Sequence, residues 1–260
     1  MSKSFIWGLI IGTALLIVVG VGASRLQDKN AKLKEADEKQ FQAKLADATP
    51  VELGILTEKQ KLHSKLFAGY QQRRGDATIS ELATRAKGKG RLLQIIAFVG
   101  LEHITNEPET PEKYFGDLTQ ASDAVIRGSV IKKTSQVTED DGFIFTDYDV
   151  LIKEIIKNNV TAPIDKSTTI TITRPGGSIL IEDLVVEAID RASEPLPNNH
   201  DVILFLQFIP ESGAYKSTQD TGSFEIDGLT LRPLTQSHFP LGVLQNMDSF
   251  MQTLRTVSNQ

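Results

Sequence analysis

Cysteine is absent from all 260 residues, which excludes disulfides, thiolate metal sites and cysteine nucleophiles together. A domain exported without disulfides must be stable on its packed core alone. Histidine is scarce: His63, His103, His200 and His238 are the only four. None stands at i, i+3 or i+4 from another, so no helical histidine pair is available for zinc. Isolated histidines of this kind are ordinarily surface or core residues. Positive charge is also in deficit. With 28 Lys and Arg against 33 Asp and Glu, the net charge is −5, which argues against a nucleic-acid partner because phosphates demand a clustered basic surface. Neither G-x-S-x-G nor H-E-x-x-H occurs, so no hydrolase spacing is present.

What is present begins with residues 5–23 (FIWGLIIGTALLIVVGVGA), a run without a charge. As a helix it would extend about 28 Å, close to the hydrocarbon thickness of a bilayer. It predicts a transmembrane anchor or uncleaved signal, although Val21-Gly22-Ala23 would also serve as a cleavage site. Flanking charge gives conflicting advice on orientation: Lys3 precedes the run, but Arg25, Lys29, Lys32 and Lys34 follow it, which favours a cytoplasmic body. Residues 24–48, rich in Lys, Glu, Gln and Ala, predict a helical stalk.

Residues 49–111 read as a small helical region. Thr57-Glu58-Lys59-Gln60 and Thr78-Ile79-Ser80-Glu81 both have capping-box spacing. Residues 91–103 (RLLQIIAFVGLEH) suit either a strand or a buried helix, and residues 106–111 (NEPETP) suggest a boundary. From about Asp123 the apolar period becomes two. Residues 124–133 and 143–156 predict strands joined by Glu139-Asp140-Asp141-Gly142. In the second strand Ile144, Tyr148, Val150 and Ile152 face the core, while Asp147, Asp149 and Lys153 point outward. Further strands are expected over 168–173, 178–181, 184–188, 201–209, 214–217, 223–226 and 229–234. The last two are joined by the type I′ turn signal Asp227-Gly228. Residues 201–209 are apolar on both parities and predict the most buried strand. Residues 240–260 end the chain as an amphipathic helix.

Eight or so short strands with no alternating helices predict a mainly β fold over residues 112–239, an antiparallel barrel or sandwich. The runs ADAVIRGSV, FTDYDVLIKEIIKNN, TITITRPGG, DVILFLQFIPESGAY and GSFEIDG resemble uncharacterised exported β-barrel proteins of bacteria. The opening strand pair is similar to the netrin-like, OB-type barrel of tissue metalloprotease inhibitors. The resemblance implies a periplasmic or extracellular barrel, against the flank-charge argument. Those inhibitors act through an N-terminal cysteine, which this chain lacks.

Three functions follow as expectations. The first is a non-catalytic binding or scaffold module, tethered to the bilayer through residues 5–23 and engaging a protein or glycan. The second is a regulator or inhibitor of an exported protease, for which a protruding loop around residues 137–145 would speak. The third is a hydrolytic enzyme, for which a pocket gathering His200 with carboxylates would speak. No catalytic, cofactor or metal residue is assigned and no cofactor is expected. Arg174, Gly176 and Gly177 form the candidate contact for an anion or partner, since an arginine beside glycine amides can receive a carboxylate or phosphate. The plainer reading of Arg174-Pro175-Gly176-Gly177 is a tight turn with a solvent-exposed arginine. Lys87-Gly88-Lys89-Gly90-Arg91 lacks phosphate-loop spacing and reads as a basic loop.

Overall fold

Alternating apolar residues over more than a hundred positions produce a mainly β architecture in the computed structural model, which describes residues 35–68, 77–97, 111–190, 194–218, 222–234 and 247–258. The apolar run at 5–23 lies outside these residues. Among the described residues no helix is long and apolar enough to cross a membrane. The chain divides into two units, Met1–Asp47 and Ala48–Gln260. Within the first, residues 35–47 form helix α1, in the stretch expected to be a stalk.

The second unit carries eleven strands among its described residues, split between two sheets. The smaller sheet has the order β1-β6-β7-β2, from β1 (Thr49–Pro50), β6 (Gly177–Ile181), β7 (Leu184–Asp190) and β2 (Leu92–Ala97). The larger comprises β3 (Ala124–Val137), β4 (Ile144–Lys157), β5 (Thr169–Pro175), β8 (Asp201–Ile209), β9 (Ala214–Ser217), β10 (Ser223–Asp227) and β11 (Thr230–Pro233), in the order β11-β10-β8-β3-β4-β5-β9. The two sheets therefore do not form a single closed antiparallel barrel, one of the two architectures that the sequence predicts, the other being a sandwich. Three pairings are parallel, β1–β6, β2–β7 and β5–β9. β9 pairs with β8 as well as with β5. Residues 91–97, which suited either strand or helix, form strand β2. Both β1 and β2 belong to the stretch read as helical, yet they pair with β6 and β7.

The helices begin where the sequence supplies caps. Thr57 caps α2 (Glu58–Leu66) and Thr78 caps α3 (Ile79–Ala86), each closed reciprocally by Gln60 or Glu81. Helix α4 (Pro111–Ala121) was not foreseen. With α5 (Met247–Ser258) it covers one face of the larger sheet, where Phe115, Leu118, Phe250 and Leu254 pack on Phe205 and Phe224. Opposite-parity residues build a second core: Ile126, Tyr148, Val150, Ile172, Leu204 and Tyr215 are almost fully buried together. A third core, including Ile79, Phe143, Ile144, Ile179 and Val186, joins the smaller sheet to the β3–β4 hairpin.

Candidate functional site

Helix α2 is short and polar (EKQKLHSKL), yet it contributes two fully covered side chains, His63 and Ser64. Burying polar groups is favourable only when they are hydrogen-bonded. His63 Nδ1 lies 2.8 Å from Asp147 Oδ1 on β4, and His63 Nε2 lies 3.0 Å from Ser212 Oγ in the β8–β9 turn. A carboxylate only accepts, so Nδ1 donates to Asp147, and the Ser212 hydroxyl partners the other ring nitrogen. Around this chain Ser64 Oγ accepts the Glu139 amide at 2.6 Å, and Lys59 Nζ donates to Thr171 Oγ1 at 2.9 Å. Phe67, just beyond the helix, stacks on Phe145, which meets His63 edge-on. The helix thus lies over the outer face of β4 and β5 and over the turns at one end of the sheet.

The Asp147, His63 and Ser212 connectivity is that of an acyl-transfer triad. Two features oppose catalysis. His63 is 0% exposed, so its imidazole has no access to a leaving group. The Ser212 and Gly213 amides are also engaged: both donate to Ile209 O, and the Ala214 amide reaches Ser212 Oγ. What the arrangement does chemically is fasten α2 to the sheet.

The sequence-predicted candidates lie elsewhere. Arg174 is 3% exposed, neither a projecting arginine nor a solvent-exposed turn residue. Its neighbours carry the chain from β5 in the larger sheet to β6 in the smaller one, not around a hairpin. The Gly176 amide donates to Ile144 O at 2.8 Å, so it is not free for an anion. Gly177, at φ +138°, sits so close that an added Cβ would lie 2.0 Å from Thr146 Oγ1. His200 is half exposed and its Nδ1 lies 2.7 Å from Glu225 Oε1; Glu225 also binds Arg232. No gathering of carboxylates around His200 results. His103 and His238 lie outside the described residues. Asp147 and Asp149 share the outward face as expected; Asp147 meets His63, and Asp149 accepts from Thr171 Oγ1 at 3.3 Å. Among the described residues no group of three or more His, Asp or Glu could hold a metal ion.

Two further features complete the survey. Lys87 pairs with Glu182 at 2.9 Å beside a cavity of ≈ 390 Å³, which Leu53, Ala83, Arg91 and Leu184 also line. Cations and carboxylates share its rim, so it selects neither sign. Asp201 gathers Arg127, Ser129 and Lys153 across β3, β4 and β8. The latch under α2 was missed because His63 stands alone in sequence and its partners lie 84 and 149 positions away. The available signal was the capping box that placed a helix there. No family model matches the chain, and no curated protein matches it.

Proposed function

We propose that this chain is a membrane-tethered binding module without catalytic activity, anchored through residues 5–23 and carrying an OB-type barrel on the periplasmic or extracellular side. The observation that carries the reading is the double pairing of β9, to β5 in parallel and to β8 antiparallel. With it, β3, β4, β5, β9 and β8 make a ring of five neighbours, with β10 and β11 as an extension from β8. Counted along the chain, the ring has the order 1-2-3-5-4, with the third and fifth strands parallel. OB-type barrels use the outer face of their second and third strands, with adjoining loops, as a binding platform. Here those strands are β4 and β5, and the turn after β3 and the turn after β8 flank them.

The alternatives have weaker support. A protease inhibitor acting through a protruding loop needs an exposed apolar tip, but Val137 and Phe143 are buried, the exposed tip is Glu139 and Asp140, and the turn is hydrogen-bonded to α2 and α3. Hydrolysis would require access to His63, which is covered.

Topology and function are tested together in cells. Protease added after selective outer-membrane permeabilisation should digest residues 123–235, and cross-linkers placed on the barrel turns should capture one stoichiometric partner. Protection until the inner membrane is broken, or full-length chain in the lipid-free cytosol, would overturn the reading.

A further inference from the structure

The cavity beside α3 joins an apolar floor to a charged mouth. Leu53, Ala83, Ile181 and Leu184 line the floor; all four belong to the third core or pack against it, and Ala83 and Leu184 are buried. Two turns make the mouth. The loop after α3 brings Lys87, Gly88, Gly90 and Arg91, and the β6–β7 turn brings Glu182 and Asp183. The volume of ≈ 390 Å³ falls in the range of about 300–1,000 Å³ usual for small-molecule sites.

The two turns differ in what they leave available. Lys87 and Glu182 satisfy each other at 2.9 Å, but Asp183 has no ion-pair partner among the described residues. On the loop, the Lys87 and Lys89 amides close back on α3, whereas those of Gly88 and Gly90 donate to nothing among the described residues. An added Cβ at either glycine would meet nothing within 4 Å, so the backbone there is open to an approaching group. Free amides beside the Lys87 and Arg91 charges suit a carboxylate, and Asp183 suits an ammonium. A simple anion or cation would meet like charge from one of the turns. A ligand carrying both charges satisfies the two together.

We propose that this cavity binds a short zwitterionic peptide with apolar side chains, its carboxylate at the Gly88–Arg91 loop, its ammonium at Asp183 and its side chains on the floor. The direct contact between the turns is already taken by Lys87 and Glu182, so the ligand must hold its two charges apart. A dipeptide does so, with its α-carbons about 3.8 Å from each other; a free amino acid carries both charges on one carbon. The site is built from α3, β6 and β7, not from β4 and β5, so it stands independently of the platform described above.

The test is isothermal titration of the full-length chain in detergent micelles with leucyl-leucine, empty micelles serving as the blank. Saturable one-site binding is expected. N-acetyl-leucyl-leucine and leucyl-leucine amide should each bind about tenfold more weakly, because each lacks one terminal charge and the charge-assisted bond it makes. Asp183→Asn should abolish the penalty for acetylation and leave that for amidation. Thr84→Trp, at an exposed lining position, should fill the cavity and abolish binding. Absence of saturable heat at millimolar peptide overturns the proposal, as do blocked peptides that bind as well as the free one. An acetylation penalty that persists in Asp183→Asn does so too, as does binding unchanged by Thr84→Trp in a protein of native circular dichroism.

Discussion

His63 and Asp147 meet at 2.8 Å across 84 positions of sequence, and the imidazole that joins them is wholly covered. Replacing His63 by Ala strips the carboxylate of its donor and Ser212 of its partner. A hydrogen bond to a charged group is worth about 1.5–3 kcal/mol, and the lost ring adds a cavity, so His63→Ala should cost about 2–4 kcal/mol in urea unfolding. If α2 is a latch, cleavage by trypsin at Lys59, Lys61 and Lys65 should accelerate before global unfolding does. Unchanged cleavage would mean that the helix is held by other contacts.

Gly177→Ala should be more damaging than its size suggests. The new Cβ would collide with Thr146 Oγ1, and Ser135 Oγ would stand only 2.7 Å away. Those two hydroxyls bind each other at 2.8 Å, and Thr146 also donates to Gly176 O. The positive φ of +138° adds strain for any side chain. We expect a loss of about 3 kcal/mol, read as a lower thermal midpoint. Combining it with Thr146→Ala should recover part of the loss, because the clash is removed with the hydroxyl.

Asp201 gives the chain a pH dependence on the acid side. Burial pushes its carboxyl upward, but hydrogen bonds from Lys153, Ser129 and Arg127 outweigh this and hold its pKa below the ordinary value. A depressed pKa favours the folded state above the unfolded value, about 4 for an aspartate. That contribution falls away as pH drops through the folded value. Urea midpoints measured from pH 6 downward should therefore decline less steeply below about pH 4 in Asp201→Asn than in the parent. Parallel curves would assign the acid sensitivity to other carboxylates.

Local signals proved legible where one short stretch contains the whole interaction. Thr57 with Gln60 and Thr78 with Glu81 announce their helices because both partners lie within one turn. The outward parity of Asp147 and Asp149 was equally plain from alternation in β4. What alternation cannot reveal is which strand pairs with which, or in what sense. The parallel β5–β9 contact joins Ile172 to Tyr215 through only a few residues, and the Pro-Gly-Gly after Arg174 reads as a hairpin whether the next strand stays in the sheet or leaves it. Helix α4 was hidden by the turn-rich residues before it. The site escaped for a related reason: sequence exposed both the face of β4 and the helix, but not that the one covers the other.

Tyr215 controls the alkaline side. Its ring is 1% exposed, and its hydroxyl accepts from Asn159 Nδ2 at 3.2 Å and donates to Ala162 O at 3.4 Å. Burial raises its pKa above the usual phenol value; the Asn159 bond opposes this and the nearby Asp123 charge reinforces it. A raised pKa stabilises the fold below the unfolded value, about 10, and that stabilisation is lost as pH rises through the folded value. Tyr215→Phe should cost about 1 kcal/mol at neutral pH, since Asn159 and Ala162 lose a partner. Above about pH 10 the variant should lose stability less steeply than the parent. Urea unfolding at neutral and alkaline pH measures both effects: an unchanged alkaline slope would show that another group titrates there, and an unchanged neutral midpoint that the hydroxyl does not secure the loop at 158–166.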